Sequence, residues 1–398
     1  MSHTMEKKAL FIHDHPFIKD KATGLLYTSG NLNSVLWERY LKHFDSVTVM
    51  GRCKTEEDVS RYHPAEREKV TFNLFTDVSG GADYFKKRKK IEKQLIAEIK
   101  KHDVIIMRFP ATISVFAAEY CIKKNIKYVG EVVGCSWDAN WNYGGLAPKI
   151  MSPYSYLKMK KAVKHASAAI YVTEAFLQNR YPTSASIIAH ASNVIIPEVE
   201  AEALPKRIFK IDHSQSSDII KLGIIGNIAV RYKGYDVLLK AVSALPARVR
   251  EQIRLDFVGG GDPTYLKGLI DHYQVEKQTT IRGKLKAGKE IFDFLDNLDL
   301  YVHPSKQEGL PRVVIEAMSR ACPILASSVA GTPELLPIDF LHRPGDAKKL
   351  CQDILRVTQD TALRKKMAAT NFERSNKYVF SVLERRREEF FKEVKEVF

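Results

Sequence analysis

The chain has 398 residues, 45% hydrophobic and 27% charged, with a formal net charge of +15. That balance describes a water-compatible protein long enough for two domains, and it excludes a small scaffold that needs disulfide or metal staples. No apolar run approaches the roughly 18 to 20 residues of a membrane-spanning helix, and Met1-Ser-His-Thr-Met-Glu-Lys-Lys lacks a signal-peptide core, so a cytoplasmic location is expected. Cys53, Cys121, Cys135, Cys322 and Cys351 are scattered with no Cys-x-x-Cys pair, which predicts reduced thiols rather than a disulfide framework or a zinc site.

In chain order, short apolar runs alternate with helical patterns, the pattern of an α/β protein with parallel sheets. The first half predicts strands at 9–13, 47–50, 104–107, 127–133 and 169–172, with helices at 35–44 and 114–124. A loop, Tyr27-Thr-Ser-Gly30-Asn31, follows the first strand. The stretch 84–101 is densely basic, with Ile91, Leu95, Ile96 and Ile99 at helical spacing. It reads first as a solvated helix face and second as a peripheral membrane contact. No nucleic-acid motif accompanies it, and no nucleic-acid partner is expected.

Residues 196–205 are acidic and bracketed by prolines and form the predicted join between two Rossmann-like units. Residues 209–217 are polar and read as a surface loop. The second half predicts strands at 219–225, 254–258, 280–282, 298–303 and 323–326. After the first of these, the loop from Gly226-Asn227 carries Arg231 and Lys233 ahead of an amphipathic helix; two cations at a strand's carboxyl end suit a diphosphate, or are an ordinary surface pair. Gly259-Gly-Gly261 marks a sharp turn or a close approach of backbone to ligand, and Arg282-Gly283-Lys284-Leu285 closes another strand at the same edge.

The most informative segment is Glu308-Gly-Leu-Pro-Arg-Val-Val-Ile-Glu316, placed directly after the predicted strand that Pro304-Ser305 stops. Pro311 suits a first helical turn, where its missing N–H costs nothing. Glu308 then sits at the helix mouth and Glu316 about one and a half turns inside, while the free N–H groups near Gly309 and Leu310 face an arriving anion. Residues 379–398 close the chain as a charged amphipathic helix.

These pieces, in this order from Gly223 to Leu336, resemble the retaining glycosyltransferases of family 4, enzymes of the GT-B fold. The resemblance implies two Rossmann-like domains with parallel sheets facing a central cleft. The acceptor-binding domain spans 1–200, the nucleotide-sugar domain spans 201–378, and the helix at 379–398 packs back on the first. It implies that Lys233 and Arg231 neutralise the donor diphosphate and that Glu308 accepts hydrogen bonds from the transferred sugar. Glu316 binds the ribose, the backbone amides at Gly309 and Leu310 hold sugar and phosphate oxygens, Gly226 and Asn227 belong to the donor-binding loop, and Lys284 and Leu285 border the base. The implied reaction is metal-independent and retaining, moving a hexose-type sugar from a nucleoside-diphosphate sugar, a UDP-sugar by slight preference, with no other cofactor. The acceptor is a glycan or a lipid-linked glycan, in bacterial cell-surface polysaccharide synthesis at the inner face of the membrane. The chain has no Asp-x-Asp motif of the kind that holds a diphosphate through a cation.

Two departures from the family pattern stand out. Asn227 replaces the arginine that many relatives place after the loop glycine, and the region 131–138 lacks their histidine. His15, His13, Gly30, Asn31, Arg52, Arg108 and Asp138 are therefore the acceptor-side candidates, against plainer readings as turn, ion-pair and capping residues. Arg52 and Arg108 each lie just past a predicted strand, placed to bind an acceptor phosphate. The rival functions are a GT-B-type nucleotide-sugar epimerase and a catalytically degenerate binding subunit.

Overall fold

The computed structural model describes residues 6–80, 82–142, 145–215 and 219–398. Packing divides the chain into two units, Met1–Ala191 with Arg385–Phe398, and Ser192–Glu384.

The first unit holds β1 (Lys8–Asp20), β2 (Leu26–Thr28), β3 (Ser46–Glu56), β4 (His63–Pro64), β5 (Val70–Phe72), β6 (Val104–Phe109), β7 (Val129–Val132), β8 (Ala168–Tyr171) and β9 (Ile187–His190). A parallel ladder runs β5-β3-β1-β6-β7-β8-β9, β2 joins antiparallel to the far part of β1, and β4 joins antiparallel to β2. The winding direction reverses between β1 and β6, and a crevice opens at the carboxyl ends of strands at such a point. Ala9–Ile12 and Val104–Met107 are buried on both faces, which is why those strands are continuously apolar.

β1 runs past the predicted end at His13. Asp14-His15-Pro16 is polar and ends in a residue without an N–H, which reads locally as a stop. The β1–β3 ladder instead shifts register between Ile12 and Pro16 and resumes from Pro16 opposite Arg52 to Asp20 opposite Glu56. Arg52 therefore lies within β3, not past it, and Arg108 likewise lies within β6. Tyr27 and Thr28 belong to β2, so the expected loop begins after them.

The basic stretch forms two helices, Ala82–Lys86 and Arg88–Ile99, with Lys87 between them. Ile91, Leu95 and Ile99 are core residues. Two of its cations pair locally, Lys90 to Asp77 at 2.8 Å and Arg88 to Glu92 and Glu119 at 2.7 Å. Ile91, Leu95 and Ile99 thus turn the main apolar side of this helix to the core and not to the surface.

The second unit holds β10 (Ile220–Ile225), β11 (Ile253–Val258), β12 (Thr279–Gly283), β13 (Leu300–His303), β14 (Ile324–Ser327) and β15 (Leu341–His342). They pair in parallel in the order β12-β11-β10-β13-β14-β15, a doubly wound sheet whose switch point lies between β10 and β13. Its core joins Leu222, Ile224, Leu255, Phe257, Leu300 and Val302 of the sheet to Leu238, Leu239 and Val242 of the helix Tyr235–Ser243. Where residues 209–217 read as a loop, the helix Ala203–Asp212 occupies the first part; it buries Ala203, Arg207 and Ile211. Arg207 donates to the carbonyls of Leu295 and Leu298. Ser216 and Ser217 lie outside the described residues. The chain closes with the helix Phe380–Val397.

Candidate functional site

At the switch point of the second unit, β10 hands over to the loop at Gly226, then to a 3-10 turn Arg231–Lys233. Two glycines shape this corner. Gly259 has φ +155°, and a Cβ there would stand 1.7 Å from the Gly226 carbonyl oxygen; the glycines after β11 thus let two loop backbones touch, which is the turn reading made specific. Gly234, at φ +75°, packs equally closely under the Pro304 carbonyl. Lys306 N–H donates to the Tyr232 carbonyl at 2.7 Å, and Ser305 Oγ donates to the same oxygen at 3.1 Å, tying the loop after β13 to the turn that carries Lys233.

Within this frame Lys233 Nζ lies 2.8 Å from Glu308 Oε1, and His303 Nε2 lies 2.9 Å from the same oxygen. His303 is buried at the end of β13, and its Nδ1 is 3.3 Å from Tyr301 Oη. A carboxylate accepts only, so Nε2–H donates to Glu308. Burial by itself would raise the Glu308 carboxyl; His303 and Lys233 reverse that and hold it at about 2. Glu316 goes the other way. Burial raises it to about 7, opposed by Arg312. The two glutamates eight positions apart are thus a fixed anion and a carboxyl poised near neutrality.

The other predicted donor-side residues fall along the same edge of this sheet with different contacts. Arg231 is exposed and its guanidinium lies 5.0 Å from the Tyr265 ring centroid. Asn227 Oδ1 accepts from Ala229 N–H at 2.9 Å, so this side chain shapes the loop rather than supplying the charge of the arginine it replaces. Lys284 and Leu285 follow β12, with Lys284 exposed beside Gly260. Pro311 is extended and sits at the cap, not in the first turn; the helix Arg312–Ser319 begins one residue later. The Gly309 carbonyl accepts from Gly331 N–H at 2.9 Å, and Leu310 leads into that cap.

In the first unit, several acceptor-side candidates meet near the switch point between β1 and β6. His15 Nε2 lies 2.6 Å from Thr28 Oγ1, which also accepts from Gly30 N–H at 3.1 Å. Burial lowers His15 to about 4, helped by Arg52 and Arg108, and lowers His13 to about 3, helped by Arg108 and His15. Both imidazoles are neutral at physiological pH, and His13 Nδ1 is buried with no partner. Asp14 accepts from the N–H groups of Thr112 and Ile113, closing the start of the helix Thr112–Lys124. Arg52 Nε donates to the Asp14 carbonyl at 2.8 Å. Arg108 pairs with buried Glu131 at 3.0 Å, and Tyr40 Oη donates to the other Glu131 oxygen at 2.7 Å. Arg108 therefore lies within its strand in an ion pair that is buried rather than on the surface. Asn31 is exposed, and Asp138 lies 3.4 Å from Arg180 in a separate group with Cys135 and Tyr181.

Sequence reasoning missed His303, Lys306 and Asp14. The available signal for His303 was a single histidine ending an apolar strand five positions before Glu308. Among the described residues no group of three or more His, Cys, Asp or Glu side chains is placed to hold a metal ion. Among them, too, no helix is long and apolar enough to cross a membrane.

The family model described as glycosyl transferases group 1 matches residues 220–360. Protein CapJ of Staphylococcus aureus is 35% identical over 350 residues, covering 87% of this chain and 85% of CapJ. The chain belongs to the group 1 glycosyltransferases. WcaL of Escherichia coli K12, provisionally named a colanic acid biosynthesis glycosyltransferase, is 31% identical over 103 residues, 24% of this chain and 25% of WcaL. The crystal structure of HepE from Anabaena in complex with UDP matches with a TM-score of 0.65 at 16% identity, covering 98% of this chain and 99% of HepE. The fold is the α/β fold of GT-B glycosyltransferases, and HepE has also been solved with UDP-glucose.

Proposed function

We propose that this glycosyltransferase takes a hexose-type sugar from a nucleoside diphosphate, with UDP favoured, and passes it with retention and without a metal ion to a glycan or lipid-linked glycan. The observation that carries the reading is the Glu308 oxygen shared by Lys233 and His303 at the switch point of the second unit's sheet. Breaking the anomeric C–O bond leaves growing negative charge on the diphosphate. Lys233, with the free N–H groups before the helix Arg312–Ser319, stabilises that charge more in the transition state than in the ground state. Arg231 supports the same charge from the rim.

Glu308, ionised throughout the physiological range, accepts from sugar hydroxyls and is no proton donor. His303 fixes its orientation. Glu316 binds the ribose, its two oxygens accepting from the hydroxyls. The acceptor belongs to the first unit, where neutral His15 and His13 beside Arg52 can accept a hydroxyl proton or orient it. The name of WcaL, and UDP-glucose in HepE, support a polysaccharide product and a UDP-sugar donor. An epimerase would turn over the donor with no acceptor present. The test is thermal stabilisation by UDP, GDP, ADP and CMP and their sugars, with and without EDTA, followed by donor turnover with and without a glycan acceptor. A shift for one diphosphate family that survives EDTA, with acceptor-dependent turnover, is the expected result. No shift for any of them would remove the donor site.

A further inference from the structure

The helix Leu146–Lys164 has two apolar faces, and the fold uses one of them. Ser152, Met159, Ala162 and Val163 turn inward. On the opposite side Leu146 is 78% exposed, Ile150 75%, Leu157 63% and Tyr154 42%. At 100° per residue these four fall within about 80° of one another, roughly opposite the buried set. A soluble surface rarely holds such a stripe without an occupant. Trp141, 47% exposed on the preceding helix Ser136–Asn142, adds an aromatic ring, with Lys149 Nζ 5.6 Å from its centroid.

The charge around the stripe names the occupant. This helix carries Lys149, Lys158, Lys160, Lys161 and Lys164 and no aspartate or glutamate. Lys161 and Lys164 project on the stripe's own side and Lys149 and Lys160 flank it, while Lys158 is paired with Glu119 at 2.6 Å. Lysines beside an exposed Leu, Ile, Tyr and Trp face complement a surface that is apolar beneath and anionic at its boundary.

We propose that Leu146–Lys164 lies in the interface of an anionic membrane, with Leu146, Ile150 and Leu157 below the headgroups and the lysines among the lipid phosphates. Tyr154 and Trp141 sit at headgroup level, where amphipathic aromatic rings are favoured. The contact uses neither the Lys233–Glu308 site nor any acceptor-side group, so it stands or falls apart from the proposed reaction. It also differs in place from the basic helix Arg88–Ile99, whose apolar side is in the core.

The test is co-sedimentation of the whole chain with phosphatidylcholine vesicles and with vesicles holding about 30% phosphatidylglycerol, at low salt and at about 0.5 M salt. Binding at least about tenfold stronger to the anionic vesicles, weakened by salt, is expected. The triple variant Leu146→Glu, Ile150→Glu, Leu157→Glu should lose that binding while keeping its circular dichroism and thermal midpoint, since all three side chains are exposed. Lys86→Glu with Lys89→Glu, on the other basic segment, should keep at least half of it. A triple variant that binds like the parent, or a parent that ignores anionic vesicles, overturns the proposal. So does light scattering that shows a dimer dissolved by the same triple change, because the stripe's occupant would then be a second copy.

Discussion

Replacing Glu316 with glutamine should stabilise the second unit at alkaline pH and leave it unchanged in acid. Burial lifts this carboxyl from 4.5 to about 7, so the folded state prefers its neutral form. A group whose folded value lies above its unfolded one contributes stability that is complete below about pH 4.5 and lost as pH rises toward 7. The rise of about 2.5 pH units, at about 1.4 kcal/mol each, sets a ceiling of about 3.5 kcal/mol. Glu316 is only half-buried, and solvent screening brings the expected loss to about 1 to 2 kcal/mol. For a unit of this size that is a melting difference of roughly 3 to 6 °C.

Thermal melts of the parent and Glu316→Gln at about pH 5 and pH 8 separate this effect from every other titrating group, because only the difference between the two proteins is read. The midpoints should nearly coincide at pH 5 and diverge at pH 8, with the glutamine variant higher. Equal gaps at the two pH values would refute the reasoning. The same carboxyl should couple nucleotide binding to pH. If the ribose hydroxyls donate to ionised Glu316, UDP affinity rises about fourfold between pH 6.5 and pH 8, following the ionised fraction. That slope should be absent from the variant.

Other perturbations test the frame. His342 in β15 is buried with no partner at either ring nitrogen, and burial lowers it to about 4, so its stability contribution is present above about pH 6.5 and is lost as pH falls. His342→Leu should raise stability by about 1 kcal/mol at pH 7 and flatten the acid limb of a denaturation series. Gly259→Ala, which drives a Cβ into the Gly226 carbonyl, should cost at least about 3 kcal/mol and abolish donor binding together with the fold of that corner, read by urea unfolding. Arg108→Met strands Glu131 without its ion-pair partner and should cost about 3 to 5 kcal/mol; Glu131→Gln, which can still accept from Tyr40, should cost less.

The second unit was the more legible half. Its strands are short, mostly apolar and followed at several edges by glycine-bearing turns, so both period and punctuation pointed to the same elements. Glu308 and Glu316 also announced themselves by spacing. The pairing that opposes protonation of Glu308 did not, because His303 reaches Glu308 only once β13 and its following loop are folded against Lys233. In the first unit, local signals misled where tertiary pairing won. Asp14-His15-Pro16 reads as a strand end, yet the ladder to β3 restarts beyond it. Arg108 looks exposed after an apolar run, yet Glu131 of the neighbouring strand draws it inward. The helix Ala203–Asp212 was hidden by its charged flanks, and β9 and β15 were too short to carry a periodic signal.

The measurement that bears most directly on the central claim is a calorimetric titration of UDP into the parent protein and into Lys233→Ala at neutral pH. Lys233→Ala removes a charge-assisted contact to the diphosphate and leaves Glu308 facing it with His303 alone, so affinity should fall about 100-fold in a protein that still unfolds cooperatively. Equal affinity in the two proteins would mean that the diphosphate does not rest beside the Lys233–Glu308 pair, and the proposed donor site would be wrong.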